Sequence, residues 1–522
     1  MKIKALAAAV IAAGLTQSAL ALPIASAINL HLYASGASAQ DKSLQNMAIK
    51  MCDTGTVDIY TDTNGKPEGS SYSAFSCTMS PTNVPGLSGT LNVMVHKRSA
   101  GGSAWGVGPV AAGDNVPQMD ISATNCPSAA TPATATINGT TVNVWKCSNA
   151  TLMSPVPVPD FGISDVEPAL FNNTSNFIPV DNVTVFAGDP GTGPIPQAQL
   201  DGLTVTGMSA VTFGIPVTLN LRNALQAAQF PASANCVGSD DVNCMPSLTK
   251  TQISSLFVGT IGTWSKFKVV DQADGLVKSL TAVTGVTAPI GAGKVNVCRR
   301  VNGSGTQAQF NALFLGDGCS KGASLAKGDN SSSSGLTGGS GVTTQGLGTG
   351  VLVHENSGSG DVDACLNNLQ GGNIWGIGIQ SLEKGSANYR FVKVDGVAPT
   401  LKNVATNKYW DWAANSIQWR TSAISGDKLT ILNKLAAEIS TPSDLAILNA
   451  NFNPRITGTD SQVGLLALNT NPATGTKFAT TIPFAASNPV MTATRNGAAG
   501  TGAPNTCATT VILNNADSQM IQ

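Results

Sequence analysis

The chain has 522 residues, of which only 11% are charged, and its formal net charge is −1. This composition excludes a strongly basic surface of the kind that binds nucleic acid. The hydrophobic fraction of 42% excludes disorder throughout, and the length predicts two or three domains.

The first residues predict a secretory signal peptide over residues 1–27. Met1-Lys2-Ile3-Lys4 forms a charged start, and a short apolar stretch follows up to Leu15. Small residues allow cleavage after Ala21 or Ala27, and the sequence leaves both sites open. The apolar stretch is shorter than the roughly 20 residues that span a bilayer. No later segment is apolar over such a length, so we expect a periplasmic or secreted protein without a transmembrane segment after signal removal.

Ten cysteines agree with an oxidising compartment, where disulfides are the expected state. Their even number and the absence of a Cys-x-x-Cys pair favour bridges over metal binding. With only three histidines in the chain, we expect no cofactor and no metal site. A pair between Cys298 and Cys319 would brace the turn at residues 303–305. Short separations favour three local pairs: Cys52 with Cys77, Cys126 with Cys147, and Cys236 with Cys244.

Strands and helices alternate along the first 220 residues. We predict a small hairpin at 134–137 and 140–145, and a short buried strand that ends at Ser164-Asp165. The run 205–221 is β-branched and apolar, which is typical of a strand that crosses between lobes. The other predicted elements are strands at 28–33, 56–60 and 91–96 and a helix at 42–51.

The second half continues this alternation. Residues 323–350 are dominated by Ser and Gly and predict a flexible loop. The interleaving of strands and helices favours the α/β class with mostly parallel sheets. The predicted elements are helices at 248–257, 429–439 and 442–450 and a strand at 371–380.

The segment from Arg300 to Thr306 predicts an oxyanion site. Val295-Asn296-Val297 before it is typical of a strand, and Gln307 to Phe314 after it of a helix. The turn therefore lies at a helix N-terminus, where free N–H groups and the helix dipole favour an anion. Gly303 and Gly305 permit a close backbone approach. The alternative is a tight connection with no ligand.

Several short motifs, in this order, resemble the phosphate-binding proteins that serve ABC importers, which are class II periplasmic binding proteins. The match to the family's Arg-x-Asp-Gly-Ser-Gly-Thr signature is the segment from Arg300 to Thr306. The other matches are Gly36-Ala37-Ser38-Ala39, Gly102-Ser103 with Gly106, Asp160 to Asp165, Gly259 to Trp264, and Ile377-Gly378.

The resemblance implies a two-lobed α/β fold with insertions and a C-terminal extension. The expected division is 28–210 with 386–460 as lobe 1, 211–385 as lobe 2, and 461–522 as the extension. Strands near 205–221 and 380–395 are expected to join the lobes. The resemblance also implies these ligand-binding residues: Ser38, Ser103, Asp165, Arg300, Asn302, Ser304, Gly305 and Thr306.

Two departures from the family pattern bear on the ligand. Asn302 stands where the family has an aspartate that accepts a hydrogen bond from a protonated oxyanion, and an asparagine can donate a hydrogen bond instead. Ala39 replaces a phenylalanine. Structural roles without a ligand also remain for the polar residues. Arg300 could form a surface salt bridge, and Asp165 could cap a helix. The serines and Thr306 could cap their own helices.

The sequence therefore predicts an extracytoplasmic solute-binding protein for phosphate or a related oxyanion, with an ABC importer as partner. The alternative is a secreted surface or matrix protein that keeps the fold without transport. A secreted phosphatase is a third reading, but no metal cluster or activated nucleophile is visible in the sequence, so we expect no enzyme.

Overall fold

A computed structural model describes most of the chain. The described residues are 27–63, 66–69, 71–127, 132–137, 139–172, 176, 193–289, 294–320, 322–325, 350–356, 358–450, 452, 464–481, 483–495 and 503–513. The predicted signal peptide lies outside them except for residue 27, and so does most of the Ser/Gly-rich loop. No helix in these ranges is both long enough and apolar enough to cross a membrane.

Strands and helices alternate along the chain, as the sequence predicted. The strands are β1 (Leu30–Gly36), β2 (Asp58–Thr61), β3 (Tyr72–Met79), β4 (Leu91–Arg98), β5 (Ala133–Ile137), β6 (Thr140–Lys146), β7 (Phe161–Ser164), β8 (Leu203–Thr218), β9 (Ser247–Leu248), β10 (Lys268–Val270), β11 (Val277–Ser279), β12 (Lys294–Arg300), β13 (Gly350–Asn356), β14 (Gly376–Gly378), β15 (Gln380–Ser381), β16 (Tyr389–Val394), β17 (Trp412–Arg420), β18 (Leu465–Ala467), β19 (Ala493–Thr494) and β20 (Val511–Ile512).

The α-helices are α1 (Asp41–Lys50), α2 (Ser103–Ala112), α3 (Gln197–Leu200), α4 (Leu219–Gln229), α5 (Lys250–Phe257), α6 (Gly305–Phe310), α7 (Ser359–Gly371), α8 (Leu401–Ala405), α9 (Gly426–Ser440) and α10 (Pro442–Ala450). A 3-10 turn, Ser38–Gln40, leads into α1, and α6 continues as a π-helical turn, Asn311–Leu315. The predicted strand at 371–380 is shorter than expected, because α7 reaches Gly371 and only the last residues are extended.

The main sheet joins sixteen strands in the described part of the chain. Its path runs β13-β12-β14-β8-β17-β7-β1-β4-β3-β2-β6-β5. The α/β class is confirmed, but the sheet is mixed where mostly parallel sheets were expected. Parallel pairs link β1 to β4 and β7, and β12 to β13 and β14. Five antiparallel pairs involve β8, whose partners β14, β15, β16, β17 and β18 all run against it, and others join β2 to β3, β3 to β4, β5 to β6 and β7 to β17.

β8 contributes to both halves of the hydrophobic interior. Met208, Val211 and Phe213 belong to one buried cluster, which we call the first core, with β1, β4 and β7. Ile215 and Val217 belong to another, the second core, with β12, β14 and α5. Val211, Phe213, Ile215 and Val217 share one face of the strand, so they divide between the cores by their position along β8, whose twist turns that face toward different partners.

β17 is the second strand shared by the two cores. Ile417 and Trp419 pack in the first core, whereas Trp412 and Ala414 pack in the second. The division into lobes at residues 210 and 386 stays a prediction. Because Val392 also packs in the second core, the packing favours a later return to the first lobe, within β17.

Five disulfides connect the ten cysteines. The three local pairs expected from the sequence are confirmed. A Cys298–Cys319 bridge was the wrong expectation: Cys298 pairs with Cys365 on α7, and Cys319 pairs with Cys507 near the C-terminus.

Candidate functional site

The carboxyl ends of parallel strands from both cores face one small volume. β1, β4 and β7 lie side by side and end at Gly36, Arg98 and Ser164. β12 and β13 are also parallel neighbours, and they end at Arg300 and Asn356. The turns that follow such strand ends are where open α/β sheets place ligand-binding groups.

The first wall of this volume is the turn at Gly102-Ser103, where α2 begins. Ser103 is fully buried, and its Oγ accepts a hydrogen bond from the Asp165 N–H at 3.0 Å. Gly102 has a φ of 74°, a backbone conformation that residues with a side chain rarely adopt. The turn thereby links the end of β4 to the residue that follows β7.

The second wall is the turn at Gly303-Ser304-Gly305, where α6 begins. Ser304 caps this helix, since its Oγ accepts from the Gln307 N–H at 3.4 Å. The two walls touch directly, because the Ala104 N–H donates to the Gly303 carbonyl oxygen at 2.8 Å. A Cβ on residue 305 would lie 2.3 Å from Ser103 Oγ, so only glycine fits there.

Arg300 lies between these walls and is only 1% exposed. Its Nε donates to the Asn356 carbonyl oxygen and its Nη1 to Ser359 Oγ, both at 3.2 Å. Ser359 Oγ is in turn 3.2 Å from Ser38 Oγ. The surface salt bridge considered for Arg300 is therefore wrong, because its guanidinium is buried at the strand ends.

Asp165 is the carboxylate of the cluster. Its Oδ2 accepts from Thr306 Oγ1 at 3.4 Å and its Oδ1 from Gln40 Nε2 at 3.5 Å. Burial raises the pKa of Asp165 to about 6, and the nearby Arg300 charge opposes this rise. Burial also lowers the pKa of Arg300, with the Asp165 charge as the largest opposing influence. The pair is thus a buried cation beside a carboxyl whose protonation changes near neutral pH.

A second buried cation holds the turn that follows β1. Lys97 Nζ donates to the carbonyl oxygens of Gly36 and Ala37 at 3.0 and 3.4 Å. It also forms an ion pair with Asp41 at 3.1 Å, and Ser99 Oγ donates to the same Asp41 oxygen at 2.7 Å. This network fixes the backbone that carries Ser38.

The structure brings seven of the eight predicted site residues together. Asn302 lies half-buried in the same turn, but no hydrogen bond or ion pair within the described ranges joins its side chain to the other seven. Whether these residues bind a ligand stays a prediction. The seven are Ser38, Ser103, Asp165, Arg300, Ser304, Gly305 and Thr306.

Sequence reasoning missed Ser359 and Lys97. The stretch Gly358-Ser359-Gly360 follows β13 just as Gly102-Ser103 follows β4, so the same glycine-serine pattern could have revealed it. This pattern is hard to distinguish in the sequence, because β13 directly follows the predicted Ser/Gly-rich loop. Lys97 carries no comparable signal, since only the fold places its ammonium against Gly36.

Metal ligands do not cluster in the described part of the chain. Within those ranges, no group of three or more His, Cys, Asp or Glu residues could hold a metal ion.

No protein-family model and no curated protein matches this sequence. Several solved structures match over most of their own length. A proposed phosphate ABC transporter substrate-binding protein with bound phosphate from Clostridium perfringens is 12% identical, at a TM-score of 0.39, over 83% of this chain and 99% of that one. An ABC-type phosphate transport receptor from Vibrio cholerae is 12% identical, at a TM-score of 0.36, over 78% and 93%.

A third match is PstS from Borrelia burgdorferi, which is 10% identical, at a TM-score of 0.33, over 81% of this chain and 97% of that one. These likenesses are too weak to assign a fold or a ligand. The α/β class follows from the sheet itself.

Proposed function

We propose that this chain is an extracytoplasmic solute-binding protein that captures phosphate or a related oxyanion between its two cores. The observation that carries this proposal is Arg300, a guanidinium buried among serine and threonine hydroxyls where the turns of both cores meet. A buried cation is costly unless charge and hydrogen bonds compensate it. An oxyanion would supply both, through charge-assisted bonds to the planar donor fork.

The hydroxyl groups around Arg300 suit a tetrahedral anion. Ser38, Ser103 and Thr306 can each donate to an anionic oxygen, and the start of α2 adds the positive end of a helix dipole. When it is ionised, Asp165 would accept a hydrogen bond from a protonated oxygen of the ligand. The proposed ligand is therefore an oxyanion that still carries a proton near neutral pH, such as hydrogen phosphate.

The two cores correspond in this proposal to two lobes that close on the ligand. β8 and β17 are two long strands that both cores share, so a hinge would lie in them. The direct contact between Ala104 and Gly303 describes a closed arrangement. Release of a ligand would require these two residues to separate.

A specific observation favours the second candidate, a secreted protein that keeps the fold without transport. In the closed arrangement several site groups satisfy one another: Ser38 with Ser359, and Thr306 with Asp165. A ligand must exchange these contacts for its own. If that exchange is unfavourable, the cluster serves only to join the cores.

Isothermal titration with phosphate, arsenate and sulfate tests the proposal. We expect phosphate to release heat with the native chain and not with Arg300→Ala. Arg390→Ala is the matched control, because Arg390 pairs with Asp240 in another part of the molecule. No heat with any oxyanion between pH 5 and 8 would favour the second candidate. A phosphatase assay on the same preparation tests the hypothesis that the chain is a secreted phosphatase.

A further inference from the structure

The C-terminal segment, residues 464–513, joins the two cores. Its described parts are 464–481, 483–495 and 503–513. It begins on β8, where β18 pairs with Ser209, Ala210 and Val211. Leu465 packs in the first core and Leu466 in the second, so the segment starts at the boundary between them.

Arg495 and Thr492 attach this segment to the second core. The Arg495 guanidinium lies 4.3 Å from the centre of the Trp412 ring, and its Nη2 donates to the Trp410 carbonyl oxygen at 2.8 Å. Thr492 donates to the Ala405 carbonyl oxygen through its hydroxyl and its N–H. Arg495 is 5% exposed, so this attachment is buried.

Two consecutive residues then attach the segment to Glu167 and to Cys319, which follow elements of different cores. Thr506 donates through its N–H and its Oγ1 to the two carboxylate oxygens of Glu167, at 2.7 and 2.6 Å. Glu167 comes two residues after Asp165 and beside Val166 of the first core. Cys507 forms its disulfide with Cys319, which comes four residues after Leu315 of the second core.

Separation of the cores would therefore strain neighbouring bonds. A peptide unit spans only about 3.8 Å between Cα atoms, so Thr506 and Cys507 cannot both stay attached if Glu167 and Cys319 move far apart. Either the hydrogen bonds to Glu167 break or the disulfide opens. We call the segment a clasp, because its neighbouring residues Thr506 and Cys507 are attached to Glu167 and Cys319.

The Cys319–Cys507 bridge also differs from the other four in its exposure. Both of its cysteines are exposed, whereas the eight cysteines of the other bridges are buried. An external thiolate reaches an exposed sulfur more readily, because thiol–disulfide exchange needs direct attack on the sulfur. This bridge should be the first to be reduced.

We propose that the described parts of the C-terminal segment form a clasp that holds the two cores closed over the candidate site, and that a dithiol opens it at Cys319–Cys507. In that step a dithiol thiolate attacks one sulfur and the other leaves as a thiolate. The second dithiol group then displaces the first cysteine. The dithiol becomes a cyclic disulfide, and the two cysteines gain two electrons and two protons as thiols. The effect of the clasp on ligand exchange rests on the proposed function.

Hydrogen exchange measures closure without any ligand. The Ala104 N–H bonds to Gly303 across the site, and the Gly303 N–H bonds to the Asn176 carbonyl oxygen. In a variant with Cys319→Ser and Cys507→Ser, we expect both amides to exchange at least tenfold faster than in the native chain. The matched control carries Cys236→Ser and Cys244→Ser, which removes a bridge with a separation of only 8 residues. Its exchange at Ala104 and Gly303 should stay within twofold of the native rate.

Two further samples cover the case in which the double serine variant does not fold. One is the native chain treated with a low concentration of dithiothreitol, with the reduced cysteines located by alkylation and mass spectrometry. The other is Thr506→Val, which removes the hydroxyl bond to Glu167 and leaves every disulfide. Both should speed exchange at the same amides. Unchanged exchange in these samples, or reduction of another bridge before Cys319–Cys507, would overturn the proposal.

Ligand exchange provides the second readout. If the chain binds phosphate, stopped-flow dissociation should be at least tenfold faster after the clasp is opened, with little change in the control. If phosphate does not bind at all, the proposed function fails. The amide measurement then still decides whether the clasp exists.

Discussion

The two glycine-serine turns at the candidate site have similar local sequences, but the arginines that precede them make different contacts. Each follows a strand that ends in arginine: β4 ends at Arg98 and β12 at Arg300. A Gly-Ser pair then leads into a helix in both turns. In the first turn, α2 begins at Ser103 itself. In the second, Ser304 is the cap and α6 begins at Gly305. Both arginines are 1% exposed.

The residue two positions after each serine differs between the turns. In the first turn it is Trp105, and the Arg98 guanidinium lies 5.1 Å from the centre of its ring. In the second it is Thr306, whose hydroxyl donates to Asp165. Arg300 has no aromatic ring at that position and reaches Ser359 instead. Similar sequence patterns thus give one arginine that packs and one that faces the polar cluster.

The largest expected effect comes from replacing these arginines one at a time. We expect Arg300→Ala to weaken phosphate binding about a thousandfold, or about 4 kcal/mol, because it removes the buried charge of the site. Arg98→Ala should change affinity by less than about threefold and lower the melting temperature, because Arg98 packs on Trp105. Titration calorimetry and thermal unfolding of both variants measure the contrast. Equal losses of affinity would contradict the difference between the turns.

Asp165 gives the next largest effect, in stability against pH. Its pKa is about 6 in the folded chain and 3.8 when exposed, so the unfolded chain releases this proton first as pH rises. This group therefore stabilises the fold least at high pH: stability should fall between about pH 4 and 6, by roughly 3 kcal/mol. In Asp165→Asn, the free energy of unfolding should decrease less over this pH range. Urea unfolding at pH 4, 5, 6 and 7 measures it, and parallel curves for both proteins would refute the assignment.

Thr306 should have a smaller effect. Thr306→Val keeps the shape of the side chain and removes the hydroxyl that donates to Asp165. We expect phosphate affinity to fall about tenfold, or about 1.4 kcal/mol, since one hydrogen bond near a charge is lost. Thr284→Val removes a hydroxyl that donates to Asp271 beside the hairpin of β10 and β11, and it serves as the control. An unchanged affinity in Thr306→Val would exclude this hydroxyl from the binding site.

The smallest effect is expected at Asn302. An asparagine can donate to an unprotonated oxygen, whereas an aspartate would need a proton on the ligand. Asn302→Asp should therefore weaken sulfate binding and change phosphate binding by only about threefold. Competition between phosphate and sulfate at pH 7 measures this preference. An unchanged preference in the variant would show that residue 302 does not face the ligand.

The sequence predicts best those features that depend on neighbouring residues. The hairpin of β5 and β6 and the short disulfides follow from turn residues and small separations. The turn before α6 was recognisable because glycine, serine and arginine stand together. These features need no knowledge of how distant segments meet.

The features that were missed depend on distant segments. The partners of Arg300 include Ser359, 59 residues away, and the pairing of Cys319 with Cys507 spans 188 residues. β8 was predicted as a crossing strand, but its five antiparallel partners come from five different later segments. Composition and periodicity specify that a strand is buried, not which strand lies beside it.

The position of β8 has a consequence for the order of folding. Its two halves pair with residues that are synthesised much later: Leu203 pairs with Arg420, and Val211 pairs with Leu465. Contacts of such long range are slow to form, because a large loop must close first. Neither core can be completed until nearly the whole chain has emerged. The protein should therefore fold after synthesis rather than during it, and a truncation before residue 464 should leave β8 with an uncovered edge prone to aggregation.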